Sequence, residues 1–119
     1  MIKFVVMFRQ TGDWETFENA YTDFLALIER MPDIRRRQAI HVLGSPQGDA
    51  PYNRGLEIYF DTQDALRASL MSPAGQEAGN ELARFPEGSF DVFFSEVYEE
   101  SGGNTPQPTQ DDITTDDDD

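Results

Sequence analysis

Leu56 to Tyr98 reads LEIYFDTQDALRASLMSPAGQEAGNELARFPEGSFDVFFSEVY: a strand, a helix interrupted once, and a second strand. Leu56 to Phe60 alternates apolar and polar residues, the period of a half-buried strand. Asp61 stands where a helix N-cap belongs, with Asp64 three residues on as the acidic half of a weak capping box. Ser72-Pro73 restarts the helix, a hydroxyl cap followed by proline at the first helical position, where its missing N–H is not needed. Ala74, Ala78, Leu82 and Phe85 give this second piece its apolar face. Pro86 to Gly88 is a turn, and Phe90 to Tyr98 is the closing strand.

The chain upstream supplies the other half of a plan. Ile2 to Arg9 (IKFVVMFR) is rich in Val, Ile and Phe and reads as a strand. Asp13 caps a helix with Glu15 in its first turn. Trp14, Phe17, Tyr21, Phe24, Ile28 and Met31 follow at three- and four-residue steps, one apolar face expected in the core. Pro32-Asp33 ends that helix. Ile34 to Leu43 (IRRRQAIHVL) reads as a strand and Gly44 to Arg54 as a turn-rich loop. The order β-α-β-β-α-β is the ferredoxin-like plan, an α+β fold with a four-stranded antiparallel sheet. Its helices lie on one face of the sheet, and the other face needs a cover.

Composition narrows the functional classes. The 119 residues suit one domain, and no cysteine is present, which excludes disulfides, thiolate metal sites and thiol nucleophiles. The apolar run Phe4 to Phe8 is too short to span a bilayer, and the start lacks a full signal-peptide core, so a cytoplasmic protein is expected. The net charge is −14, from 23 acidic and 9 basic residues, and Lys3 is the one lysine. Such a surface argues against nucleic acid as a partner. It suits a salt-rich, halophilic cytoplasm, where screening shortens the reach of like-charge repulsion. Residues 101–119 hold six of the acids and one aliphatic residue, Ile113; they are expected to be a disordered acidic tail to a domain spanning 1–100.

Strand parity separates the two sheet faces. Ile2, Phe4, Val6 and Phe8 are expected toward the helices, with Lys3, Val5, Met7 and Arg9 on the open face. By the same logic Ile34, Ile40 and Val42 point inward, and Arg35, Arg37, Ala39, His41 and Leu43 outward. Leu56, Ile58 and Phe60 face the helices against Glu57 and Tyr59, and Phe90, Val92 and Phe94 against Asp91, Phe93, Ser95 and Val97. An open face mixing apolar and charged residues suits a half-barrel closed by a second copy.

Residues 52–100 resemble the second half of EthD-family proteins. The resemblance is carried by the strand with Glu57, Tyr59 and Phe60, the Ser72-Pro73-x-Gly75-Gln76 helix start and the Phe94-x-Glu96-Val97 strand. The opening IKFVVMFR and Pro32-x-Ile34-Arg35-Arg36 also fit. The resemblance implies a homodimeric α/β barrel with an internal cavity for a small organic molecule. It also implies either a cofactor-free catabolic enzyme of isomerase or oxidoreductase type or a non-catalytic accessory or ligand-binding module. Many members carry a histidine in the first helix four residues after a tyrosine; here Tyr21 is followed at that spacing by Leu25, so an activity resting on that histidine does not carry over.

The candidate catalytic residues are therefore His41, Glu57 and Tyr59. Histidine is the side chain that exchanges protons near neutrality, and a carboxyl beside a phenol could serve as a general acid or base. Arg9, Arg37, Met7 and Phe93 are the candidate ligand-binding residues of the same face. The structural alternative for Glu57 is an ion pair with Arg9 or Arg37. There is no glycine fingerprint for a dinucleotide and no Lys-Ser/Thr of a phosphate loop, so no cofactor is expected, and no metal site.

Overall fold

The computed structural model describes residues 1–103; the expectation for the acidic tail falls almost entirely outside them. The order is β1 (Ile2–Arg9), α1 (Trp14–Ile28), β2 (Arg36–His41), β3 (Tyr52–Phe60), α2 (Gln63–Met71), α3 (Pro73–Leu82) and β4 (Phe90–Glu96). The sheet runs β2-β3-β1-β4 and every pairing is antiparallel. This is the ferredoxin-like arrangement, with the second helix divided at Ser72. Asp13 caps α1 by accepting from the Thr16 amide. Ser72 both ends α2 and caps α3, its hydroxyl oxygen accepting from the Gly75 amide at 3.1 Å. The α2 cap is Thr62 rather than Asp61: its Oγ1 accepts from the Ala65 amide at 3.1 Å, while Asp61 pairs with Arg35 at 3.4 Å.

The core lies between the helices and one sheet face. Val6, Phe8, Leu56, Ile58 and Phe60 meet Phe17, Tyr21, Phe24 and Ile28 of α1, with Leu66, Ala78 and Phe85 beside them. Phe8 is the hub, with the rings of Phe17, Tyr21, Phe24, Phe85 and Phe90 all between 5.0 and 6.4 Å from its own. Most are edge-on, the arrangement that ring quadrupoles favour. Trp14, expected in the core, is 42% exposed; it opens the first helical turn and only caps the stack, edge-on to Phe17.

The parity expected for β1, β3 and β4 is observed, and that for β2 is reversed. Arg37 pairs with Ile58, Ala39 with Leu56 and His41 with Arg54, all helix-side positions of β3. Arg36, Gln38 and Ile40 occupy the open face instead. The reason is local. Ile34 precedes the strand and packs against the core from the connection, so it does not set the strand's parity. β2 is an edge strand, and Arg37 and His41 reach past α1 to water. Ile40 instead packs at Gly55, where a side chain would collide with Met7 and approach Ile40 Cβ to 3.4 Å.

β3 begins at Tyr52, earlier than its apolar run suggests. A bulge between Phe8 and Arg9 of β1 absorbs Asn53, so Arg9 pairs with Tyr52. An extra residue of this kind turns the strand end and re-aims side chains.

Candidate functional site

Three rows of side chains cross the open face. Arg36, Tyr59, Lys3 and Ser95 form the first, Gln38, Glu57, Val5 and Phe93 the second, and Ile40, Gly55, Met7 and Asp91 the third. No described helix covers them. Val5 is nevertheless 2% exposed and Tyr59 6%, whereas Phe93 is 50% exposed. The centre of the face is thus shielded by its own neighbours, and an apolar wall stands at the β4 edge.

The polar part of the centre is one network. Lys3 Nζ donates to Glu57 Oε2 at 3.4 Å. The Tyr59 hydroxyl donates to Gln38 Oε1 at 2.9 Å and lies 3.3 Å from Glu57 Oε1. The Arg36 guanidinium stacks over the Tyr59 ring with its carbon 4.3 Å from the centroid. Two cations and a carboxylate around a phenol can orient a ligand's oxygen or hold a proton. Glu57 and Lys3 remain only partly exposed, at 19% and 25% of their side chains, so their interaction is less screened than a surface pair.

A second polar group sits at the far end of the face. Asp91 Oδ2 accepts from Arg9 at 2.7 Å and from the Tyr52 hydroxyl at 2.8 Å, and the Arg9 guanidinium stacks 5.0 Å over the Tyr52 ring. The hydrogen bond to Asp91 holds the Tyr52 phenol above its ordinary value of 10.0.

Of the candidates read from sequence, Glu57 and Tyr59 meet on the open face, with Met7 and Phe93 flanking them and Arg9 at the end. His41 and Arg37 do not join them. Both lie on the helix side of β2, where Arg37 pairs with Glu29 at 3.5 Å and His41 stands opposite Arg54. Glu57 pairs with neither Arg9 nor Arg37 but with Lys3. Lys3 and Gln38, which are not among those candidates, complete the network. The signal for Lys3 was a lone lysine at the parity of Val5 and Met7; for Gln38 there was none until the β2 register was known.

No family model and no curated protein matches the chain. Solved structures do, and they share its fold. An EthD-family protein from Bacillus halodurans C-125 is 21% identical and superposes with a TM-score of 0.77, over 82% of this chain and 99% of that one. A dimeric ferredoxin-like protein of unknown function from Jannaschia sp. CCS1 is 20% identical, TM-score 0.64, over 81% and 98%. A cofactor-independent oxygenase from Streptomyces nogalater is 17% identical, TM-score 0.61, over 83% and 94%. The class defined is a ferredoxin-like α+β fold, which the EthD-family protein shares.

Proposed function

We propose that the chain is a cytoplasmic homodimer whose open sheet faces close on each other and bind a small organic molecule between them. The observation that carries this reading lies in the first two rows of the face, where the nearly closed Glu57–Lys3–Tyr59–Gln38 network adjoins Val5 and the half-exposed Phe93. Phe93 leaves apolar surface in water on this face, and the polar groups beside it need partners in any interface. The structural neighbour described as dimeric supports the pairing. The neighbour described as a cofactor-independent oxygenase supports small-molecule chemistry on this fold without a bound cofactor.

In this reading Glu57 acts as the proton acceptor or donor and Tyr59, turning its hydroxyl away from Gln38, as the donor to a ligand oxygen, with Lys3 holding the carboxylate in place. Met7 and Phe93 form the apolar wall, and Arg9 closes the end. Leu25 favours a second reading, a module that binds and hands over its ligand without converting it, because the histidine implied by the family resemblance is missing there. The test is to extract the purified protein with organic solvent and identify any retained compound by mass spectrometry. Glu57→Gln and Tyr59→Phe are then assayed for retention and for turnover of that compound. Loss of turnover with retention kept supports catalysis; turnover that survives both substitutions contradicts the site.

A further inference from the structure

His41, displaced from the open face by the true register of β2, falls into a different setting. On the helix side a recess of about 220 Å³ opens between the middle of α1 and the β2–β3 edge. Tyr21 and Leu25 of α1 line one wall, and Ala39, His41 and Arg54 the other, with Ile40 reaching its rim around the free edge of β2. Tyr21 is 5% exposed, its ring stacked on Phe17 at 5.5 Å and covered by the Arg54 guanidinium 5.4 Å from its centroid. Arg54 holds the Glu18 carboxylate with both terminal nitrogens, leaving its Nε buried without a hydrogen-bond partner.

We propose that this recess is a second binding site, separate from the barrel cavity, for a compact neutral molecule with an apolar body and one hydroxyl or carbonyl oxygen. Its walls fix the class. Leu25, Ala39 and the Tyr21 ring offer apolar surface. His41 offers both a donor and an acceptor nitrogen. The charged groups on this side are already matched, Arg54 with Glu18 and Arg37 with Glu29, so no spare positive charge draws an anion. The chain's net charge of −14 repels one further. A neutral ligand keeps the Arg54–Glu18 pair intact and uses the imidazole.

Phenol is the probe, with benzoate as the anionic comparator of similar size, added to the full-length protein while the His41 imidazole and Tyr21 ring signals are followed by NMR. Phenol is expected to shift both in a saturable way and to bind more tightly than benzoate. His41→Ala, at an exposed edge position, is expected to weaken phenol by roughly five-fold, the loss of one hydrogen bond. Ala39→Phe fills the recess from an exposed strand position without entering the core and is expected to abolish the shifts. Glu57→Gln on the opposite face is expected to leave them unchanged. Shifts that persist in Ala39→Phe, that vanish in Glu57→Gln, or that benzoate produces at lower concentration overturn the proposal, as does the absence of any saturable shift.

Discussion

Tyr59 donates its hydroxyl to Gln38 Oε1 at 2.9 Å, joining neighbouring strands on the open face within reach of the Glu57 carboxylate. A phenol has one proton, so the shorter contact takes it and Glu57 stays held by Lys3. Tyr59→Phe removes the bond while keeping the ring under Arg36. Urea unfolding is expected to show a loss of about 1 kcal/mol, that of one partly buried hydrogen bond, and the variant is expected to retain less of any bound ligand. A stability loss of several kcal/mol would mean the hydroxyl has a structural role beyond this network.

Two glycines in α3 should respond in opposite directions. A methyl at Gly75 would stand 2.2 Å from the Ser69 carbonyl oxygen and 2.5 Å from that of Leu70, backbone atoms that cannot swing aside. Gly75→Ala is expected to cost about 3 kcal/mol, by forcing the α2–α3 corner apart. Gly79 has nothing within 4 Å, and Gly79→Ala is expected to gain about 0.5–1 kcal/mol from helix propensity. Thermal or denaturant melts of the two variants check the pair.

Alkaline stability follows from three tyrosines, Tyr21, Tyr52 and Tyr98, the last raised by its hydrogen bond to Glu96. Burial chiefly raises the Tyr21 phenol above 10.0, with Arg54 pulling it back, and the bond to Asp91 raises Tyr52. A raised folded-state value means the neutral form is favoured in the native protein. Stability is therefore fully present below the unfolded value and lost as pH climbs through the folded one. Denaturant midpoints are expected to hold up to about pH 10 and fall above it. Spectrophotometric titration of Asp91→Ala is expected to show one tyrosine ionising at lower pH than in the parent chain.

Salt should stabilise the protein. With 23 acidic residues against 9 basic ones, self-repulsion destabilises the compact state when the Debye length is long. The unfolding midpoint is expected to rise steadily from about 0.1 M to about 2 M KCl. A midpoint independent of salt would remove the halophilic reading.

Much of the fold was legible because strong local signals agreed. The aromatic spacing along α1 placed Phe17, Tyr21, Phe24 and Ile28 in the core, and Ser72-Pro73 marked the break between α2 and α3. β2 was misread because its apolar residues did not share one partner surface: Ile34 serves the core from outside the strand, and Ile40 serves the open face at Gly55. That error carried His41 and Arg37 to the wrong side, and it hid Gln38, whose meeting with Tyr59 depends on a register that side-chain parity alone could not supply. Arg54 belongs to β3 rather than to the loop before it, and the bulge at Asn53 that extends β3 leaves no mark in the apolar pattern.

Pairing of the open faces fixes the subunit number in solution, and that number is the sharpest test of it. Native mass spectrometry of the full chain from a volatile salt buffer is expected to give two chains, and Phe93→Asp, which places a charge on the exposed apolar wall, is expected to give one folded chain. A parent protein that is a stable, well-folded monomer would contradict the pairing.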